Sequence, residues 1–208
     1  MPDQLSGEDA VAAGAAAATG TGAPAVLADE PSNPPITLSE VVYHGPVWDI
    51  RHETFDYNGK PVTRDFVDHT GAVAILAVND ANEILLIQQY RHPIRMRDWE
   101  IPAGLLDIKG EEPLAAAKRE LEEEADLVAT DWSELGTYFS SPGGSNELIR
   151  VYQARGVSPS GSVFDRFDEE ADIVSRWVSM EDALAAVLDG RLRNSILSYA
   201  VLAAHARG

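Results

Sequence analysis

Arg119-Glu120-Leu121-Glu122-Glu123-Glu124 is the stretch of this 208-residue chain whose residue types and spacing bear most directly on chemistry. On a helix, Glu120, Glu123 and Glu124 stand at i, i+3 and i+4, so their carboxylates share one face. Leu114, Ala117, Leu121 and Ala125 fall on another face and are expected to pack against a sheet. Like charges at those spacings repel by roughly 0.2–0.5 kcal/mol per pair on an exposed helix. A divalent cation bound between them turns that repulsion into coordination, and hard oxygen donors suit Mg2+ or Mn2+. Alone, the run reads equally as a solvated acidic face.

The flanking residues extend the pattern. Gly104-Leu-Leu-Asp-Ile-Lys-Gly-Glu111, seven further residues, then Arg119-Glu-Leu-Glu-Glu-Glu-Ala-Asp-Leu127 resemble the Nudix box. That family pattern is Gly, five residues, Glu, seven residues, Arg-Glu-aliphatic-x-Glu-Glu-x-Gly-aliphatic. One extra residue lies between Gly104 and Glu111, as in members that hydrolyse ADP-ribose, and Asp126 stands where the family has Gly. The family glycine ends the helix in a left-handed conformation, which Asp tolerates at some cost. The ADP-ribose-type resemblance extends over roughly residues 40 to 205.

Position by position, the resemblance implies that Glu120, Glu123 and Glu124 are metal ligands by side chain and Ala103 by its carbonyl. Gly104, Glu111 and Arg119 are implied as structural support of the box. Ser141-Pro-Gly-Gly-Ser-Asn-Glu147 is similar to the Ser-Pro-Gly-x-Ser/Thr-x-Glu loop of ADP-ribose pyrophosphatases, and makes Glu147 a substrate-binding candidate. Without the box, the same segment reads as a Pro-Gly turn between strands. Asp168-Glu-Glu-Ala-Asp172 falls where that branch carries its catalytic base, which points to Glu170, with Glu169 beside it. The implied cofactor is Mg2+, with Mn2+ possible, and the implied assembly is a homodimer with the N-terminal sheet exchanged or packed across the partner.

On the substrate side, Arg91 follows the strand ending Gln88-Gln89-Tyr90 and could reach a phosphate, with Arg64 a second candidate. The alternative for either is a surface ion pair, the commoner fate of a lone Arg. Trp48 and Phe55 could stack on adenine, although aromatics on strands are more often core. The histidines show no metal spacing and receive no role.

The elements that must position these groups are legible as periodicities. Val47 to Tyr57 and Val62 to Asp68 are strand-like, joined by Asn58-Gly59, a type I′ hairpin signal. Ala72 to Val78 is a buried-strand run, and Glu83 to Tyr90 is another strand after a turn at Asn79 to Asn82. Pro113 to Ala125 reads as a helix with Pro near its first position. Strands follow at Leu135 to Ser140, Glu147 to Ala154 and Ile173 to Val178. Helices follow at Met180 to Leu188 and Asn194 to Ala206. This order suggests α+β with a mixed sheet. The resemblance implies a Nudix-type α/β/α sandwich with a mixed central sheet, plus a small N-terminal antiparallel sheet.

Composition bounds the rest. There is no cysteine, so no disulfide, thiolate metal site or cysteine nucleophile exists. A formal charge of −18 repels nucleic acid and anionic membranes, and no partner of either kind is expected. An anionic substrate is repelled too, and needs divalent cations or placed arginines. Residues 1–36, rich in Ala, Gly and Pro, are expected to be a disordered tail, with 37–69 a dimerisation region and 70–208 the hydrolase domain. The Ala-rich start lacks the positive flank of a secretion signal, since the first basic residue is Arg51, and a cytoplasmic protein is expected. The function expected is metal-dependent hydrolysis of ADP-ribose to AMP and ribose 5-phosphate. The rivals are another nucleoside diphosphate sugar as substrate, or a Nudix-fold sensor that binds ADP-ribose without cleaving it.

Overall fold

A strand buried on both faces fixes the layers. In the computed structural model, which describes residues 26–162, 164 and 172–208, all six residues of Ala72–Ala77 are buried. In chain order the strands are β1 (Ile36–His44), β2 (Asp49–Tyr57), β3 (Lys60–Asp68), β4 (Ala72–Ala77), β5 (Glu83–Arg91), β6 (Met96–Glu100) and β7 (Ala103–Leu105). Helix α1 (Pro113–Ala125) is followed by β8 (Leu127–Phe139), β9 (Leu148–Pro159) and β10 (Val174–Ser179), then helices α2 (Met180–Leu188) and α3 (Ser195–Arg207). Residues 26–33, the described part of a separate N-terminal unit, contain no helix or strand.

Alternation along β4 sends Ala72, Ala74 and Leu76 to one side, where they pack with Leu197, Ala200 and Val201 of α3 and Ala183 of α2. Val73, Ile75 and Ala77 face the other way, onto Ala116, Ala117 and Leu121 of α1. The result is helix, sheet, helix, with the acidic helix, among the described residues, alone on its face. The central sheet has the order β7-β4-β9-β8 and is mixed, since β4 and β9 run parallel and the other pairs antiparallel. A second sheet has the order β10-β5-β6.

β1, β2 and β3 form a third, antiparallel sheet. Its β2–β3 turn is the two-residue type expected, with Asn58 and Gly59 both at positive φ (56° and 78°). None of its residues is buried.

α1 and α2 have the expected bounds, and α3 starts one residue later because Asn194 is its cap, accepting from the Leu197 amide. β1, β6 and β7 were not anticipated, and β8 begins well before Leu135. On α1 the expected apolar face is shifted. Its buried stripe is Ala116, Ala117, Leu121 and Glu124, which leaves Leu114 at the stripe's edge and 36% exposed. Among the described residues, no helix is long and apolar enough to cross a membrane.

Candidate active site

Helical geometry grades the three box carboxylates by depth. At 100° per residue, Glu124 points into the buried stripe, Glu120 lies on its border, and Glu123 is turned furthest out. Burial follows that order: Glu124 is 8% exposed, while the side chains of Glu120 and Glu123 are 13% and 40% exposed.

The partner surface is β7, held to β4 by the pairs Val73–Gly104 and Ala74–Ala103 and by the bond from Ile75 N–H to the Pro102 carbonyl (2.8 Å). The Ala103 amide donates to Glu124 Oε2 at 2.9 Å. A Cβ added at Gly104 would overlap the Glu120 carboxyl group, so the missing side chain is what admits Glu120. Ala103, Gly104, Glu120 and Glu124 are thus brought together.

Arg119 ties the loop to the helix. Its Nε and Nη2 hold both Glu111 oxygens at 3.1 and 3.0 Å, and its Nη1 donates to Glu120 Oε1 (2.6 Å) and Glu123 Oε2 (2.9 Å). The Glu111 bond above all, then the charge of Glu120 and the hydrogen bonds to Glu123 and Glu120, push the Arg119 pKa up against the opposing effect of burial. The same bond holds Glu111 below the ordinary carboxylate value. The helix then exits through Asp126, which adopts the left-handed conformation (φ 54°, ψ 33°), its amide bonding back to the carbonyls of Glu122 and Leu121. Asp126 thus takes the conformation that the family gives to glycine.

Among the described residues, no three acidic or histidine side chains form a ready-made cation cage. The donor chemistry nonetheless fits a hard divalent cation. Carboxylates are seated against a close backbone approach, and a guanidinium nitrogen lies between two of them.

Arg91 is engaged rather than extended: its Nε and Nη2 each donate to buried Glu100 at 2.7 Å, and its side chain stays 47% exposed. Arg64 is exposed on β3, donating to the Thr63 carbonyl. Phe55 meets Tyr57 edge-on within the N-terminal sheet. Glu169 and Glu170 lie outside the described residues.

The loop 141–147 is moored to the end of β3. Val67 N–H donates to the Gly144 carbonyl, the Asn146 amide donates to the Val67 carbonyl, and the Asn146 side chain joins the His69 amide and Asp68. Burial works to raise the Asp68 pKa, but bonds from Arg51 and Asn146 outweigh it and hold the value low. Within this mooring, Glu147 accepts from Ser140 Oγ through Oε2 and faces His69 through Oε1. Trp48 lies over the His69 ring, with centroids 5.8 Å apart. Two expected substrate residues, Trp48 and Glu147, therefore meet through a histidine that sequence spacing had passed over.

Residues 68–198 match the NUDIX domain. The chain belongs to the Nudix family. It is 42% identical over 169 residues to an ADP-ribose pyrophosphatase of Mycobacterium tuberculosis, covering 81% of each chain. It is 36% identical over 163 residues to an ADP-ribose pyrophosphatase of Bacillus subtilis, covering 78% of this chain and 87% of that one. A solved structure described as an ADP compounds hydrolase shares its fold, with a TM-score of 0.71 and 18% identity over 86% of this chain and 96% of the other. Nudix hydrolases generally need a divalent metal ion.

Proposed function

We propose that this Nudix protein hydrolyses the pyrophosphate of ADP-ribose to AMP and ribose 5-phosphate, with Mg2+ or Mn2+ as cofactor. The observation that carries the reading is the seating of Glu124 on the Ala103 amide and of Glu120 against Gly104. The names of the relatives that match most of the chain supply the substrate.

Glu120, Glu123, Glu124 and the Ala103 carbonyl would hold the cofactor. Once bound, it neutralises pyrophosphate charge and makes an attacking water more acidic. Glu124 is the anchor, since its position is set by a backbone bond, whereas Glu123 is held by Arg119 and is the more exposed of the two. Arg119 and Glu111 keep the loop on the helix. Glu170, or Glu169 beside it, accepts the proton of the attacking water. Arg91, Arg64, Trp48 and Glu147 are the groups assigned to the substrate. Residues 37–69 are assigned to dimerisation and 70–208 to hydrolysis.

Chromatography of ADP-ribose incubated with the purified protein tests this. AMP should appear with Mg2+ or Mn2+ and not with chelator. Intact ADP-ribose, alongside cleavage of another nucleoside diphosphate sugar, would overturn the substrate. Binding of ADP-ribose with no cleavage of any such compound would overturn the reaction itself and leave a sensor.

A further inference from the structure

His69 is almost fully enclosed, with 5% of its side chain exposed. Its Nδ1 lies 3.0 Å from the backbone amide of Gly71. A backbone N–H can only donate, so Nδ1 must present a lone pair, and the proton of the ring sits on Nε2. That single choice has a consequence across the fold. Nε2 lies 3.4 Å from Glu147 Oε1, so the ring N–H is presented on the side of that oxygen, within ion-pair reach. Ser140 Oγ donates to the other oxygen, Oε2. The Glu147 carboxylate is therefore held at Oε2 by a hydrogen bond and flanked at Oε1 by the His69 ring, while 21% of its side chain remains exposed.

Three further features support the ring from outside. The His69 amide donates to Asn146 Oδ1 at 2.7 Å, which joins the histidine to the same loop by backbone as well as by side chain. Gly71, whose amide sets the tautomer, is at φ 88°, so the turn that aims this N–H at the ring suits glycine. Trp48 covers the ring.

We propose that His69 is a positioning residue, locked as the Nε2–H tautomer by the Gly71 amide, that orients Glu147 toward the substrate. This rests on the reading of Glu147 as a substrate-binding group.

Two near-isosteric substitutions separate the functions of the ring. His69→Asn places its amide where Nδ1 stood, keeping a partner for Gly71 and losing the donor toward Glu147. His69→Gln reaches the Nε2 position and keeps that donor. With ADP-ribose at saturating Mg2+, His69→Asn should raise KM about tenfold with kcat nearly unchanged, as Glu147→Gln should. His69→Gln should recover most of that loss, and His69→Asn should add little on a Glu147→Gln background. A role confined to stability would instead lower the active fraction, and hence kcat, without moving KM.

Glu147→Gln with wild-type KM would overturn the reading of Glu147 and the inference with it. Glu147→Gln impaired while His69→Asn keeps wild-type KM would overturn the inference alone. Long-range 1H–15N correlation on the His69 ring of the wild-type protein reads the tautomer without any variant. A proton on Nε2 is expected, and a neutral ring with its proton on Nδ1 would overturn the proposal.

Discussion

Gly104 illustrates a constraint that acts between side chains rather than on the backbone. Its φ is not in the left-handed region, so an L-residue is conformationally acceptable there. What an added methyl meets is the Glu120 carboxyl group. Because that group ends a flexible side chain, it can be displaced without rebuilding β7 or α1. Gly104→Ala should therefore leave thermal stability close to wild type, with a change of about 1 kcal/mol or less. Hydrolysis should fall by roughly 10²-fold, since Glu120 is turned off the cation site. Thermal denaturation and turnover on the same sample check this. Wild-type turnover would remove Glu120 from the site, and a collapsed melting temperature would make Gly104 a folding residue. The motif made Gly104 visible in the sequence, but the atoms it makes room for became visible only in three dimensions.

At the scale of elements, what sequence could show depended on where each element's signal resides. α1 carries its own boundaries, with Pro113 at its start and a change of texture after Ala125, and those bounds are observed. β6 (Met-Arg-Asp-Trp-Glu) and the three-residue β7 have no period of their own, being defined by pairing with β5 and β4. The early half of β8 is largely exposed and so lacks an apolar run. His69 was illegible for the same reason, because its partners Asn146 and Glu147 are distant in the chain. The exit of α1 is the element feature that sequence placed under strain. Asp126 does adopt the left-handed conformation, directly before β8 begins at Leu127. For a residue with a Cβ this costs of order 1 kcal/mol relative to glycine. Asp126→Gly should stabilise the fold by roughly 0.5–1 kcal/mol, and Asp126→Ala should destabilise it by a similar amount. Chemical denaturation of the two variants decides. A stabilising alanine would show that the left-handed exit does not govern stability there.

At the scale of the molecule, the N-terminal sheet is out of balance with the rest of the chain. β4 is buried throughout, whereas no residue of β1, β2 or β3 is. Apolar side chains are left in water along it: Ile36, Val42, Tyr43 and Tyr57 are each more than half exposed. A small sheet with no fully buried residue is marginal in water, and exposed apolar patches of this kind mark association surfaces. The sheet is also where the 141–147 loop is moored, through Val67, Asp68 and His69, so its order bears on Glu147. A second copy of the chain meets both needs, and a symmetric contact repeats every gain twice. The protein should therefore sediment at twice its 22.5 kDa chain mass, with a melting temperature that rises with concentration. Replacing Val42 and Tyr43, two exposed apolar residues at the bulge of β1, together by Asp charges the exposed apolar surface of that strand. That variant should sediment as a 22.5 kDa species and lose the concentration dependence. Its KM for ADP-ribose should rise as well, because a sheet without its cover no longer holds the Glu147 loop in place. A wild-type protein that stays monomeric at micromolar concentration would leave the exposed apolar residues to another partner and remove dimerisation from the account.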